Sequence, residues 1–330
     1  MKRREVITLL GGAAATWPVA ASGQQPDRMQ RIGMLMGYAE NDREGRAFVA
    51  AFREGLQKLG WTEGHNIRID TRWAADRDAD ARQRFAKELV ALQPNLILAH
   101  ATPTTAALLQ QTPTIPIIFV NVSDPVGSGF VENFPRPGGN VTGFTNIEPT
   151  MAGKWLELLK EIAPSVNRVA FLFNPATATY ADYLGSFEAS ARSLAVEAIA
   201  APVHSPSEFE AVFSALAREP NGALIAMPDL FTSTHRVEIT SLAARYRLPA
   251  VYPFRFITEH GGLLSYGNNR LDNFRSVATY ADRILKDAKP SELPVQAPVK
   301  FELVINLKTA TALGLDVPWF LQQRADEVIE

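Results

Sequence analysis

The sequence predicts an α/β protein of two similar units, each a parallel sheet flanked by helices. Three observations predict it. Apolar runs rich in β-branched residues, Ile117-Ile118-Phe119-Val120 foremost, have the length of strands buried on both faces. Such runs alternate with segments whose apolar residues recur at helical spacing. The alternation restarts after Gly143, where Val169–Phe173 running into Asn174-Pro175 echoes Ile32–Met36 running into Gly37-Tyr38. With 330 residues, 46% of them apolar, the chain is long enough for two full cores.

Taken in order, Arg31–Met36 reads as the first strand. Phe48, Val49, Phe52, Leu56 and Leu59 form one helix face, closed by Gly60 at the position where helices end left-handed. Asn66–Trp73 alternates with period two, as a more exposed strand does, and Ala81, Phe85, Leu89 and Leu92 mark the next helix. Asn95–Ala99 is a strand, and Ala101–Thr105 turns into a helix. The run 117–120 is a core strand that breaks at Ser123-Asp124-Pro125, and the breakers Pro135–Asn140 leave the first unit. In the second half, Met151, Trp155, Leu158, Leu159 and Ile162 make a helix face, and Arg168–Phe173 a strand. One long helical stretch covers 180–198, and Ser207 with Glu210 reads as a capping box. Gly222–Met227 is a strand ending in Pro228-Asp229, followed by a helix over 233–246 and a short strand at Pro249–Tyr252. After Gly262–Gly267 come a helix over 271–286, a strand at Phe301–Ile305 and a short helix after Leu307.

The first 23 residues read as a cleaved export signal. Lys2-Arg3-Arg4 is a basic start, Val6–Ala15 a short apolar run, and Ala20–Gly23 supplies small residues for cleavage. Arg3-Arg4 also resembles a twin-arginine signal, with Val6 where phenylalanine is usual. A formal net charge of −2 gives no electrostatic case for nucleic acid. The absence of cysteine excludes disulfides, thiolate metal sites, cysteine nucleophiles and a lipid-modified N-terminal cysteine. No Gly-x-Ser-x-Gly, Walker A, Gly-x-Gly-x-x-Gly or His-Glu-x-x-His motif is present, and the five histidines never fall at metal-ligand spacing. His100 alone, just past a buried strand, lies near a strand-end loop. No catalytic residue, cofactor or metal is expected.

Words spread along the chain resemble the ABC-transporter substrate-binding family that includes tryptophan- and tyrosine-type amino-acid binders, of the type I periplasmic binding protein fold. They run from Phe52-Arg53-Glu54-Gly55-Leu56, Leu59-Gly60-Trp61 and Gly64–Ile67 through Ala101-Thr102-Pro103, Ser123–Gly127 and Pro137–Gly143. They continue with Leu156–Lys160, Asn174-Pro175, Ile305–Ala310 and Ala325–Glu330. The resemblance covers nearly the whole chain after the leader. It implies two Rossmann-like lobes with a ligand cleft between them, closing on a hinge, in a periplasmic, monomeric receptor that hands its ligand to an inner-membrane ABC permease. The lobes are expected at 30–145 plus 262–290 and at 146–261 plus 291–330.

In open parallel sheets ligands sit beyond the carboxyl ends of the strands. That rule selects Tyr38, Asn41, Thr102, Pro103, Thr104, Ser123 and Asp124 in the first lobe, and Asn174, Thr177, Asp229 and Phe231 in the second, with Tyr266 near a crossover. Thr102 and Thr104 open a helix whose free amides suit a carboxylate, or they serve as a plain cap. Asp124 and Asp229 are the groups to hold a ligand ammonium, Asp124 also being placed for a local turn before Pro125. Tyr38, Phe231 and Tyr266 are the aromatics available to sandwich a flat apolar group. The expected ligand is a small amphipathic molecule, an amino acid or aromatic acid first. Two other readings stay open: an exported two-lobed enzyme using Asp124 and Asp229 as paired acids, and a sensing subunit for a membrane receptor.

Overall fold

Strand and helix alternate from the first described residue in the computed structural model, which describes residues 29–75 and 79–330. The expected leader over 1–23 lies outside the described residues. The first unit runs β1 (Gln30–Met36), α1 (Arg43–Lys58), β2 (Ile67–Trp73), α2 (Ala79–Ala91), β3 (Leu96–His100), α3 (Thr102–Leu109), β4 (Ile117–Val122) and β5 (Val141–Thr145). Its strands form one parallel sheet in the order β2-β1-β3-β4-β5. β3 and β4 are buried at every residue, as their unbroken apolar runs require, while β2 at the edge alternates.

The second unit continues with α4 (Met151–Ile162), β6 (Arg168–Phe173), α5 (Ala181–Ser193), β7 (Glu197–Pro202), α6 (Phe209–Ala217), β8 (Gly222–Ala226), α7 (Leu230–Thr234), α8 (Arg236–Arg245), β9 (Ala250–Tyr252), α9 (Arg255–Glu259) and β10 (Leu264–Asn268). α10 (Arg270–Leu285) follows, then β11 (Phe301–Asn306), α11 (Leu307–Leu313), α12 (Trp319–Arg324) and β12 (Glu327–Ile329). The second sheet has seven strands, β12-β11-β10-β9-β8-β6-β7, and all its pairs are parallel except β10–β11.

The chain crosses between the sheets three times: after β5, between β10 and α10, and before β11. Here the expected boundaries move. β10 pairs with β9 and β11 in the second sheet, so 264–268 does not belong with the first lobe. α10 does belong there: it packs along α1, with Phe274 stacked on Phe48 at 4.8 Å. The stretch 291–296 also stays with the first lobe, because Leu293 and Val295 are buried in its cores and Gln296 bridges Phe144. The antiparallel β10–β11 pair follows from this route. The chain leaves the second sheet along β10 and re-enters it from the first lobe, so β11 runs the opposite way.

Three further expectations change. The helical stretch over 180–198 is a helix ending at Ser193 and an edge strand, β7, separated by Ala195 at φ 52°. The helix over 233–246 is two, α7 and α8, meeting at His235. The capping box expected at Ser207 and Glu210 does not form, and no side chain caps α6. Ser205 Oγ donates to Glu208 Oε1 at 3.0 Å, and Glu208 Oε2 accepts the His204 N–H at 3.1 Å.

Candidate functional site

The lobes enclose a groove of about 480 Å³ where the start of α3 faces the loop after β6. Thr102, Pro103, Ser128 and Phe130 line it from the first lobe, and the 175–181 segment, with Thr177 and Tyr180, from the second. Its first wall follows from local chemistry. Ala101 takes φ 72°, turning the chain sharply out of β3, and Pro103 in the first helical turn sacrifices no intrahelical hydrogen bond. The first-turn amides of α3 have no carbonyl to bond within the helix, so they present a positive edge there. Thr104 does not contribute to it: its hydroxyl is buried and donates to the carbonyls of His100 and Ala101.

The second wall is held by two side chains that turn back on the backbone. Asn174 Oδ1 accepts the Ala176 N–H at 2.8 Å, and Thr177 Oγ1 donates to the Asn174 carbonyl at 3.2 Å. Behind this turn lies Asp229, 4% exposed, capping α7. Its Oδ1 accepts the Thr232 N–H at 2.7 Å and its Oδ2 the Asn174 N–H at 3.2 Å, so one carboxylate ties the loops after β6 and β8 together. Two hydroxyls beside the groove, Ser128 Oγ and Thr179 Oγ1, are buried with no hydrogen-bond partner. Groups of that kind are costly to leave unpaired.

The other expected site residues are elsewhere. Asp124, at φ 46°, accepts the Gly127 N–H at 2.7 Å within its own loop, the turn alternative. Ser123 Oγ donates across the seam to the Pro228 carbonyl at 3.0 Å. Asn41 is exposed, and its carbonyl accepts from Arg46. The sandwich of Tyr38, Phe231 and Tyr266 does not form. Phe231 is buried against Phe209 and His235, and Tyr266 packs on Phe301 while its carbonyl accepts the Trp155 indole N–H at 2.7 Å. Tyr38 is fully buried, stacked on His100 at 5.2 Å. The aromatics at the groove are Phe130 and Tyr180 instead, the latter stacked on Phe173 at 4.5 Å. Both lie in strand-end loops, so the rule that selected Ser123 and Asn174 reaches them when followed further along each loop.

His100, expected just past a buried strand, is the last residue of β3 and is buried in the seam. Arg270 Nη2 faces its Nε2 at 2.8 Å and the Gly37 N–H faces its Nδ1 at 3.3 Å. A neutral imidazole has one lone pair to offer, and the guanidinium at 2.8 Å takes it. Burial first, and then the Arg270 charge, hold the His100 pKa well below the usual histidine value. The sign follows directly. The unfolded chain takes up a proton near pH 6.5 that folded His100 refuses, so stability is full above about pH 6.5 and declines as pH falls toward the depressed value. The melting temperature is expected to drop between pH 7.5 and 5, and less steeply in His100→Gln; equal slopes would remove His100 from the acid response.

Two α/β lobes joined by three crossings, with a groove at the strand ends, constitute the type I periplasmic binding protein fold, which the solved neighbours share. The chain belongs to the ABC transporter substrate binding protein family, whose family model matches residues 44–329. It is 25% identical over 284 residues to the tyrosine-binding protein of Clostridioides difficile (strain R20291), covering 86% of this chain and 80% of that one. A conserved domain protein from Vibrio cholerae O1 superimposes with a TM-score of 0.85 at 26% identity, over 91% of this chain and 99% of that one. An ABC domain from Streptococcus pneumoniae in complex with L-Trp does so at 0.84 and 25%, with the same coverage.

Proposed function

We propose that this protein is the periplasmic receptor of an ABC importer and captures an aromatic amino acid in the interlobe groove by hinge closure. The observation that carries the reading is the groove itself: Phe130 on one lobe and Tyr180 on the other, with the unpaired hydroxyls of Ser128 and Thr179 beside them. An aromatic side chain between two rings gains area burial and ring–ring attraction. The ligand carboxylate is received at the start of α3 by Thr102 and the free amides, and Asp229 supplies negative charge behind the opposite wall for the ammonium. Relatives that bind tyrosine and L-Trp support this ligand class. The N-terminal Lys2–Gly23 segment supports export, and possession of the family fold supports delivery to a permease; the monomeric state of the receptor is proposed by analogy with its class alone. Among the described residues no helix is long and apolar enough to cross a membrane.

Titration calorimetry and thermal shift of the mature chain with L-tryptophan and L-tyrosine, against sugars and polyamines, test it. At about 100 times its Kd a ligand adds roughly 2.7 kcal/mol, a rise of several degrees. Phe130→Ala is expected to weaken binding by about 1–2 kcal/mol, roughly tenfold. The ligand should be recovered unchanged. Absence of binding, an unaltered Phe130→Ala affinity or chemical turnover would each overturn the reading.

A further inference from the structure

The segment after β8 reaches out of the second lobe and grips the first at points that do not line the groove. Leu230 of α7 is buried within the first lobe's core. It sits over Gly37: a Cβ there would lie 2.6 Å from Leu230 Cδ2 and 3.1 Å from Cδ1. Gly37 is outside the left-handed backbone region, so alanine suits its backbone, and what a side chain there displaces is the end of Leu230. Six residues on, Arg236 Nη2 donates to Asp42 Oδ2 at 3.0 Å, with the two side chains only 8% and 17% exposed. Asp42 is itself fixed, because its Oδ1 caps α1 through the Glu44 and Gly45 N–H groups. Beside the pair, Arg270 lies over Phe48 of the first lobe and Phe254 of the second, at 5.0 and 4.6 Å, and donates to the Tyr38 hydroxyl at 3.2 Å. The Pro228 carbonyl, just before this segment, accepts from both Ser123 and Asn146 of the facing loops.

We infer that Leu230 seated on Gly37 and the Asp42–Arg236 ion pair form an interlobe latch that holds the lobes together through chain–chain contacts, without ligand. Both parts are short-ranged. The apolar seat needs Leu230 in van der Waals contact with Gly37, and the ion pair loses most of its strength once water enters between the charges. Each part is therefore lost abruptly on opening, which is what a two-position device requires. The latch tunes how much of the ligand's binding free energy goes into closure, and in that respect alone it rests on the receptor reading.

Small-angle scattering of the ligand-free protein tests it directly. Wild type is expected to be the most compact, with a larger radius of gyration in Gly37→Ala and in Arg236→Gln, and Arg236→Lys returning toward wild type. Circular dichroism and a cooperative melt show that each variant is folded. In calorimetry with L-tryptophan, Gly37→Ala and Arg236→Gln are expected to bind on the order of tenfold more weakly although neither lines the groove. Scattering that is the same for wild type and both variants overturns the latch. Wild type that binds neither L-tryptophan nor L-tyrosine, while the scattering differences persist, overturns the ligand reading and upholds the latch.

Discussion

Asp229→Ala is expected to lose stability and ligand affinity together. The carboxylate caps α7 and also holds the Asn174 N–H, and both amides it serves are in buried surroundings. Loss of a cap costs about 1 kcal/mol, and a buried donor left without an acceptor about 1–3 kcal/mol. The sum is roughly 2–4 kcal/mol, a fall of several degrees in melting temperature. Affinity for L-tryptophan falls as well, because the freed Asn174 turn carries the 175–181 wall of the groove. Asp229→Asn keeps one acceptor and should show about half the stability loss. Calorimetry separates the two effects. A drop below about 1 kcal/mol would remove the capping role, and an unchanged affinity would detach the Asn174 turn from the ligand.

Gly267→Ala is expected to be the most damaging small substitution near the crossings. A Cβ at 267 would lie 1.8 Å from the Pro253 carbonyl oxygen and 2.8 Å from Ile147 Cδ1. The first of these is backbone, which has no rotamer to yield. Ile147 follows the first crossing, and Gly267 is the penultimate residue of β10, just before the second, so the strain falls where the lobes are joined. The cost is about 3 kcal/mol or more, at the upper end for overpacking. Chemical denaturation of the purified variant gives the number. A variant within about 1 kcal/mol of wild type would show that the 253 loop moves freely, and would refute the steric reading.

Much of this architecture was legible because burial on both faces leaves a composition signal. The 117–120 and 96–99 runs have no polar residue, and both are fully buried strands. β7 was not legible for the opposite reason. Glu197–Pro202 is a largely exposed edge of alanine-rich sequence that continues the preceding helical pattern, and only Ala195 in the left-handed region ends the helix. The strand-end rule found Thr102, Pro103 and Thr177, which line the groove, and Asn174, which shapes it. It could not separate aromatics that face the groove from those that do not. Phe231 and Phe130 are both strand-end phenylalanines, yet Phe231 is 3% exposed in the second core while Phe130 stands at the groove.

The sequence by itself determined the two-unit α/β plan and the strand-end loops from which the groove is built, because periodicity, capping residues and unbroken apolar runs act within a few residues of chain. Only the tertiary structure decided which lobe owns β10, which side chains meet across the seam, and that Asp229 serves backbone amides on two loops. Those outcomes depend on pairings between residues far apart in the chain, such as Tyr266 with Leu303 or Asp42 with Arg236. Such contacts are selected by the free energy of the assembled lobes, and no local pattern encodes them.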